Sequence, residues 1–293
     1  MWTFDGLWVP LVTPFHHGEV DHPALHRLVR HLAAQGVAGF VACGSTGEAA
    51  MLTEAEQDSV LATALDAAAG MPVLMGLSGV RPERVAHRAQ QLAATCAPAG
   101  WLLAPPAYVK PSQAGLVAYF HTVASATALP LVAYDIPART GVRIQPATLR
   151  ALAEHPNIRA LKDCSADRAS AEAVLADGRL ALLGGNDDEL FDQLARGAVG
   201  AITASAHLAT ASFVRLLALM RDQQLIEART LWRRLAPITA AAFAEPNPAP
   251  IKGALARQGW LQDGLRAPMQ AADQSTTAAL LAAVAAAEAA PAG

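Results

Sequence analysis

A lysine stands at the end of a short apolar run in the middle of the chain, and polar turn residues follow it directly. The run is Ile158–Lys162, and Asp163, Cys164 and Ser165 come next. This pattern predicts a buried strand whose carboxyl end carries an amine. Desolvation there would make the neutral amine available to attack a carbonyl group and form a Schiff base. Taken alone, the lysine is better explained as the point where a strand reaches water.

Two further strand ends carry polar groups suited to carbonyl chemistry. Tyr134 ends an apolar run and could move protons, and Arg139, five residues on, could bind a carboxylate through its guanidinium. In the segment Gly44-Ser45-Thr46-Gly47-Glu48, glycines flank two hydroxyls just before a predicted helix. Backbone amides in such a turn could hold an anion. Each feature by itself also fits a plain turn or capping role.

Eight short apolar runs must position these residues, and most are separated by stretches with helical periodicity. The runs are Leu7–Val12, Val37–Cys43, Val73–Gly76, Trp101–Ala104, Leu131–Tyr134, Ile158–Lys162, Leu180–Gly184 and Val199–Ile202. This alternation predicts an α/β fold of the (β/α)8 TIM barrel type, whose strand carboxyl ends meet at one face. An open doubly wound sheet is the alternative, but no Gly-x-Gly-x-x-Gly turn follows the first run. We expect the barrel over residues 1–227 and a C-terminal helical extension over 228–293.

Composition argues against several classes of protein. The 293 residues are 53% hydrophobic and 16% charged, with a net charge of −3, which favours a large core and disfavours nucleic-acid binding. No apolar run is long enough to span a membrane, and the N-terminus lacks the features of a signal peptide. The three cysteines show no Cys-x-x-Cys spacing, so we expect a cytoplasmic protein without structural zinc. The histidines within residues 16–26 lack a completing ligand, and no metal is expected.

The segment Gly184-Gly185-Asn186-Asp187-Asp188-Glu189 ends the seventh run. Barrels often bind phosphate near this position, and the glycines would suit such a site. Three carboxylates in the following turn would repel a dianion, which argues against a phosphate-dependent aldolase. We therefore expect the acids to be charges at a helix N-terminus, where they complement the helix dipole.

The lysine, the tyrosine and the Gly-Ser-Thr-Gly-Glu segment together resemble the pyruvate-dependent class I aldolases, the superfamily of dihydrodipicolinate synthase and N-acetylneuraminate lyase. The resemblance runs from Pro10 to Met269. Three segments are similar to the dihydrodipicolinate synthase branch in particular. They are Lys110-Pro111-Ser112-Gln113-x-Gly115-Leu116, preceded by Tyr108, then Tyr134-x-x-Pro137-x-Arg139-Thr140-Gly141, and Glu245-Pro246-Asn247-Pro248-x-Pro250-x-Lys252.

The resemblance implies four catalytic residues. Lys162 would condense with pyruvate to an imine and then an enamine, which would attack the aldehyde of aspartate semialdehyde. Tyr134 would move protons and would be linked through the hydroxyl of Ser45 to Tyr108 of a neighbouring subunit. The imine would serve as the electron sink, so neither a metal nor an organic cofactor is implied.

Four further residues would bind substrate if the resemblance holds. Gly44 and Thr46 belong to the turn that would hold the pyruvate carboxylate on the amides of Ser45 and Thr46. Arg139 would bind the carboxylate of the aldehyde, and Ile202 would place its backbone carbonyl near the site. The resemblance also implies a homo-oligomer, with a tetramer as the common form in the family.

The chain departs from the synthase pattern at several positions. Ser45 stands where synthases usually carry threonine and sialic acid lyases often carry serine, and Ala107 replaces an aromatic of the lysine feedback site. Other positions of that feedback site also lack the usual polar set; they are Glu54, Gln57, Val80 and Arg84. We therefore expect no inhibition by lysine.

Two alternatives to the synthase assignment stay open at this point. The first is a paralogous pyruvate-dependent aldolase or dehydratase acting on a 2-keto-3-deoxy sugar acid or a related substrate. Arg139 favours the synthase, because a semialdehyde acid needs a cation whereas a polyol chain prefers neutral hydrogen-bonding groups. The second alternative is a non-catalytic barrel that binds pyruvate, which the joint presence of Lys162, Tyr134 and Tyr108 disfavours.

Overall fold

A closed barrel of eight parallel strands forms the centre of the computed structural model, which describes residues 3–289. The barrel strands, numbered β1 to β8, are Gly6–Pro10, Gly39–Ala42, Val73–Leu77, Gly100–Leu103, Leu131–Asp135, Ile158–Asp163, Ala181–Gly184 and Gly200–Ile202. Each strand pairs in parallel with its sequence neighbours, and β8 pairs with β1 to close the ring. Each of the eight apolar runs overlaps one of these strands, so the predicted (β/α)8 fold is confirmed.

Helices cover the outside of the barrel and form the C-terminal region. In the described part of the chain they are α1 His22–Ala34, α2 Glu54–Ala68, α3 Pro82–Thr95, α4 Gln113–Ala124, α5 Pro137–Thr140, α6 Pro146–Leu152, α7 Arg168–Asp177, α8 Leu190–Arg196, α9 Thr210–Arg221, α10 Leu225–Ala242, α11 Ala249–Arg257 and α12 Gln274–Ala289. A small antiparallel hairpin follows β1, and its two strands, Phe15–His16 and Glu19–Val20, have two residues each. The boundary expected between the barrel (residues 1–227) and the helical extension (residues 228–293) falls inside α10 and stays a prediction. Residues 1–2 of the expected barrel and residues 290–293 of the expected extension lie outside the described residues.

The buried side chains of the strands form two layers, one on each face of the barrel sheet. One layer fills the barrel interior and consists of Phe4, Trp8, Val41, Leu74, Leu102, Val132, Tyr134, Ala160, Leu183 and Ile202. The other layer faces the helices and is the larger one. Alternation with a period of two explains this division, because successive side chains point to opposite faces of a strand. The polar residues at the strand ends therefore project from a rigid, fully packed ring.

The C-terminal region is tied to the barrel through Glu48, the last residue of the Gly44–Glu48 segment. The ammonium of Lys252 in α11 donates hydrogen bonds to Glu48 Oε1 at 2.7 Å and to the Thr13 carbonyl at 2.8 Å. The backbone N–H of Arg266 donates to Glu48 Oε2 at 2.9 Å. The side chains of Glu48 and Lys252 are both 0% exposed. Helix α11 and the loop after it thus fix the turn that follows β2.

Candidate active site

A cavity of about 400 Å³ lies at the carboxyl ends of the barrel strands. Seven of the eight candidate residues line it, namely Gly44, Ser45, Thr46, Tyr134, Arg139, Lys162 and Ile202. They come from the ends of four strands, β2, β5, β6 and β8, or from the segments after them. The eighth candidate, Tyr108, does not line the cavity of its own chain and is 94% exposed on the loop after β4. The structure of one chain therefore brings together all the candidates except the one expected from a neighbouring subunit.

Lys162 is buried near the end of β6 and lies directly opposite Tyr134 of β5 in the strand register. Its Nζ is 4.3 Å from the centre of the Tyr134 ring. Burial lowers the pKa of Lys162, because desolvation disfavours the ammonium form, while Cys164 and Asp187 oppose part of this shift. The neutral amine, the nucleophile of Schiff-base chemistry, is thus favoured relative to an exposed lysine.

Tyr134 is buried beside Lys162, and the side chains of Ser45 and Cys164 are polar neighbours that act on its pKa. Burial raises the pKa of Tyr134 well above its usual value, because the phenolate form loses solvation, and the polar side chain of Ser45 opposes part of this change. Tyr134 therefore holds its proton at neutral pH. A neutral phenol of this kind can give a proton to a reacting group and recover it from a hydroxyl partner.

The Gly44–Glu48 turn is held from two sides. Thr13 Oγ1 donates a hydrogen bond to the Gly47 carbonyl at 2.7 Å, and a Cβ on Gly47 would lie 3.0 Å from the Leu11 carbonyl oxygen. On the other side, Asn247 Nδ2 donates to Thr46 Oγ1 at 3.0 Å. The absence of a side chain at Gly47 lets the turn approach the chain after β1 closely. The turn is therefore fixed before any substrate arrives, which suits a site that binds an anion through backbone amides.

Arg139 lies on α5, a single helical turn that begins at Pro137 and ends before Gly141. Gly141 adopts the left-handed conformation, with φ of 70°, that ends this turn. The side chain of Arg139 lines the cavity and is exposed at its mouth. Within residues 3–289 it has no ion-pair partner. Its guanidinium is therefore free to bind a carboxylate that enters the cavity.

Asp187 lies at a helix start, as expected, and also has a place in the cavity that the sequence did not predict. It is 4% exposed, it lines the cavity, and its Oδ2 accepts a hydrogen bond from the backbone N–H of Ser205 at 2.6 Å. Burial raises the pKa of Asp187, while Ser205 and the charge of Lys162 oppose part of that shift. Asp187, Asp188 and Glu189 form a short 3-10 helix that leads directly into α8, which is the position expected for these acids, and Asp187 in addition lines the cavity. Its place at the end of β7 was the available signal, since all strand ends meet at this face.

Asn247 is a cavity residue to which the sequence assigned no role. It lines the cavity from the loop between α10 and α11 and reaches Thr46 across the barrel rim. Its Oδ1 is buried without a hydrogen-bond partner in the described part of the protein. The sequence could flag the surrounding Pro-Asn-Pro segment, but only the packing of the C-terminal region against β2 brings this amide to the site.

The N-terminal histidines serve ordinary contacts. His22 Nδ1 lies 2.8 Å from Thr63 Oγ1, and His26 Nε2 lies 3.4 Å from Asp66 Oδ2. Among the residues that the structure describes, no group of three or more histidines, cysteines or acids is arranged to hold a metal ion. Over residues 3–289 we also find no helix with the length and apolar character needed to cross a bilayer.

A buried lysine beside a tyrosine at the carboxyl face of a (β/α)8 barrel defines the class of Schiff-base-forming lyases. The model of the dihydrodipicolinate synthetase family matches residues 3–287. The 4-hydroxy-tetrahydrodipicolinate synthase of Cyanothece sp. (strain PCC 7425 / ATCC 29141) is 36% identical over 94% of this chain and 95% of its own. This chain belongs to the dihydrodipicolinate synthetase family.

Solved structures agree with membership of this family. The dihydrodipicolinate synthase of Thermotoga maritima superposes with a TM-score of 0.93 at 31% identity, over 97% of this chain and 99% of that one. A monomeric dihydrodipicolinate synthase variant superposes with the same TM-score of 0.93 at 30% identity, over 97% of each chain. Both matches cover the barrel and the C-terminal helices together, so the similarity extends well beyond the active-site segments.

Proposed function

We propose that this enzyme condenses pyruvate with aspartate semialdehyde, the reaction of a 4-hydroxy-tetrahydrodipicolinate synthase in lysine biosynthesis. The observation that carries the proposal is the buried amine of Lys162, held 4.3 Å from the Tyr134 ring in a cavity that Arg139 also lines. The names of the similar enzymes support the same reaction. No metal and no organic cofactor enters the proposed reaction, because the imine itself withdraws the electrons.

The first half of the proposed reaction activates pyruvate. The neutral amine of Lys162 attacks C2 of pyruvate, and loss of water gives the imine. The substrate carboxylate lies on the backbone amides of Ser45 and Thr46, in the turn that begins at Gly44. Loss of a proton from C3 then gives the enamine, and Tyr134 relays protons to and from the hydroxyl of Ser45.

The second half joins the aldehyde and releases the product. The enamine carbon attacks the aldehyde carbon of aspartate semialdehyde while the semialdehyde carboxylate contacts Arg139. The amino group of the semialdehyde then attacks C2, and the C2–nitrogen bond to Lys162 breaks. The lysine amine is regenerated and the cyclic product leaves. The backbone carbonyl of Ile202, at the cavity wall, would accept a hydrogen bond from the bound substrate.

A substrate screen with an Arg139→Ala variant tests this assignment. The wild-type enzyme should turn over aspartate semialdehyde with pyruvate in preference to sugar-acid substrates. Loss of a charge-assisted hydrogen bond of about 1.5–3 kcal/mol should reduce kcat/KM for the semialdehyde roughly 10- to 150-fold in Arg139→Ala. Arg143→Ala is the matched control, because Arg143 pairs with Asp167 and does not line the cavity. Equal kinetics in the two variants would contradict the assignment.

Ser45 favours a second candidate function, because the serine matches the related sialic acid lyases better than the synthases. That candidate is an aldolase or dehydratase for a 2-keto-3-deoxy sugar acid with the same Lys162 chemistry. Turnover of such substrates alone, with none of aspartate semialdehyde, would select it. The Ser45→Thr variant would then be expected to lose activity, whereas a synthase should tolerate this change.

We further propose a cytoplasmic homotetramer in which Tyr108 of one subunit completes the site of its neighbour. The 94% exposure of Tyr108 outside its own cavity supports this arrangement, and the three unpaired cysteines support a reducing compartment. Mixing inactive Lys162→Ala with Tyr108→Phe subunits should restore activity, because one site of each mixed pair regains both side chains. No restoration in confirmed mixed oligomers, or a monomer in sedimentation, would contradict the proposal.

A further inference from the structure

Asp135 is a buried acid that the proposed reaction does not use. It ends β5 directly after Tyr134 and is 0% exposed. Because successive side chains point to opposite faces of a strand, Tyr134 faces the barrel interior and Asp135 faces the surrounding helices. Within residues 3–289 Asp135 has no ion-pair partner. This arrangement is unusual, because an acid is almost never fully buried unless it is paired.

The carboxyl group of Asp135 joins the two ends of the segment that carries Arg139. This segment, residues 136–144, is called the Arg139 loop below. It begins with Ile136, directly after Asp135, and it returns to β5 at Ile144, whose backbone N–H donates to Asp135 Oδ1 at 3.2 Å. Ile144 is itself buried. Asp135 therefore closes the base of the Arg139 loop from inside the protein.

Contacts within the Arg139 loop make it move as one unit. Thr140 Oγ1 lies 3.0 Å from the carbonyl oxygen of Ile136 and 2.9 Å from that of Val142. At the outer end of the loop, Gln113 Nε2 of α4 donates to the Arg143 carbonyl at 2.9 Å. A change at the buried base is thus passed to the helical turn α5, on which the guanidinium of Arg139 depends for its position.

Two carboxylates and one guanidinium act on Asp135 from neighbouring elements. Asp163 lies directly opposite it in the register of β6 and is also buried, while Asp167, just before α7, pairs with Arg143 at 3.4 Å. Asp135 Oδ2 is buried without a hydrogen-bond partner in the described part of the chain. Burial raises the pKa of Asp135 from its usual value of 3.8 to about 7, an effect that the Ile144 N–H opposes and the charge of Asp163 reinforces. Arg143 lowers this pKa and Asp167 raises it.

We propose that Asp135 is a positioning residue that holds the Arg139 loop in its binding geometry as a neutral carboxylic acid and releases the loop on ionisation. An ionised carboxylate here would be buried without a counterion and would lie beside Asp163. Opening of the Arg139 loop admits water to that charge and so lowers the cost of burying it. The same opening withdraws Arg139 from the carboxylate of the second substrate. The effect on the second substrate rests on the proposed function, whereas the release of the loop does not.

The pH dependence of Tm tests the ionisation without reference to any reaction. Asp135→Asn keeps the shape of the side chain and an oxygen for the Ile144 N–H, but it cannot ionise. Because the pKa of Asp135 is higher in the folded than in the unfolded chain, ionisation removes stability from the wild type between about pH 4 and pH 7. We expect the Tm of the wild type to fall relative to Asp135→Asn over that range and to stay level above it. Asp192→Asn, an exposed acid of α8 outside the cavity, is the control and should follow the wild type at every pH.

Hydrogen exchange read by mass spectrometry tests the release of the loop. At about pH 8 the peptide that contains residues 136–144 should exchange faster in the wild type than in Asp135→Asn, and at about pH 5 the two should be closely similar. Comparison at equal pH removes the intrinsic dependence of exchange on pH. The peptides of β6 and α9 should show no such difference and serve as internal controls.

Steady-state kinetics then test the positioning of Arg139. Between about pH 6 and pH 8.5, the KM for aspartate semialdehyde should rise about tenfold more in the wild type than in Asp135→Asn, as one charge-assisted contact is lost. The KM for pyruvate should change equally in the two proteins, because Arg139 contacts only the second substrate.

Three results would overturn the proposal. The first is a Tm difference between the wild type and Asp135→Asn that is constant with pH. The second is equal exchange of the Arg139 loop at about pH 8 in these two proteins. The third is a pH-dependent release of the loop with identical KM profiles for the semialdehyde, which would separate Asp135 from Arg139. If the enzyme turned over no semialdehyde at any pH, the proposed function would fail, while the Tm and exchange results would still decide whether Asp135 holds the loop.

Discussion

Replacement of Lys252 by methionine should destabilise the protein strongly and disturb the pyruvate site at the same time. Lys252 and Glu48 form an ion pair of 2.7 Å with both side chains 0% exposed. Methionine keeps the length of the lysine stem and removes the charge, which leaves the Glu48 carboxylate buried without its cation. Breaking one side of a buried pair costs about 3–5 kcal/mol.

The size of the effect on Tm follows from the size of the chain. An unfolding entropy of about 2.1 cal/mol/K per residue gives roughly 1.6 °C per kcal/mol for a chain of 293 residues, so Lys252→Met should lower Tm by roughly 5–8 °C. The double variant Glu48→Gln/Lys252→Met removes the uncompensated charge and should recover part of the loss. The exposed pair of Arg168 with Glu172 provides the control, and Arg168→Ala should leave Tm unchanged.

Denaturant unfolding of the wild type, Glu48→Gln, Lys252→Met and the double variant measures the coupling between Glu48 and Lys252. A second assay, the steady-state KM for pyruvate below the unfolding range, should show an increase in Lys252→Met, because Glu48 ends the turn that holds Ser45 and Thr46. If Lys252→Met matched the wild type within about 0.5 kcal/mol, the level of ordinary surface substitutions, the pair would not fix this turn. Unchanged KM in a clearly destabilised variant would refute the link to the active site.

Three further changes test individual contacts in the cavity. Tyr134→Phe should reduce kcat by about 10²–10⁴ through loss of proton transfer, as measured by steady-state turnover, while binding of pyruvate persists; a wild-type kcat would remove Tyr134 from the mechanism. Asn247→Ala should raise the KM for pyruvate roughly 2- to 10-fold, because Thr46 loses a hydrogen bond of about 0.5–1.5 kcal/mol; an unchanged KM would contradict this. The rate of imine formation should rise with pH through the pKa of Lys162. Asp187→Asn should move that rise to lower pH, because the Asp187 carboxylate stabilises the ammonium form of Lys162. A shift to higher pH in stopped-flow measurements would contradict this role of Asp187.

Lys162, Tyr134 and the Gly44–Glu48 turn could be found from the sequence because each stands at the end of an apolar run. In a parallel barrel all such ends meet at one face, so position along the chain translates directly into position in space. The same logic applied to Asp187, but a turn of three acids fits a helix start equally well. Both hold for Asp187, which lies in the first turn of a short helix, but the burial of its carboxylate beside the Ser205 amide could not be read from the sequence.

Asn247 and Lys252 could not be placed from the sequence, because their roles depend on long-range packing. Asn247 lies 201 positions after its partner Thr46, and Lys252 lies 204 positions after Glu48. No periodicity within α10 or α11 specifies which part of the barrel these helices contact. Tyr108 presents a different limit, since a single chain leaves it exposed and its proposed partner site belongs to another subunit.

The most direct test of Schiff-base catalysis is borohydride reduction of the enzyme with pyruvate, followed by intact and peptide mass spectrometry. Reduction traps the imine as a stable secondary amine on the lysine that formed it. We expect one pyruvate-derived adduct per chain, on the peptide that contains Lys162, and none in Lys162→Ala. An unmodified protein, or an adduct on any other lysine, would contradict the mechanism.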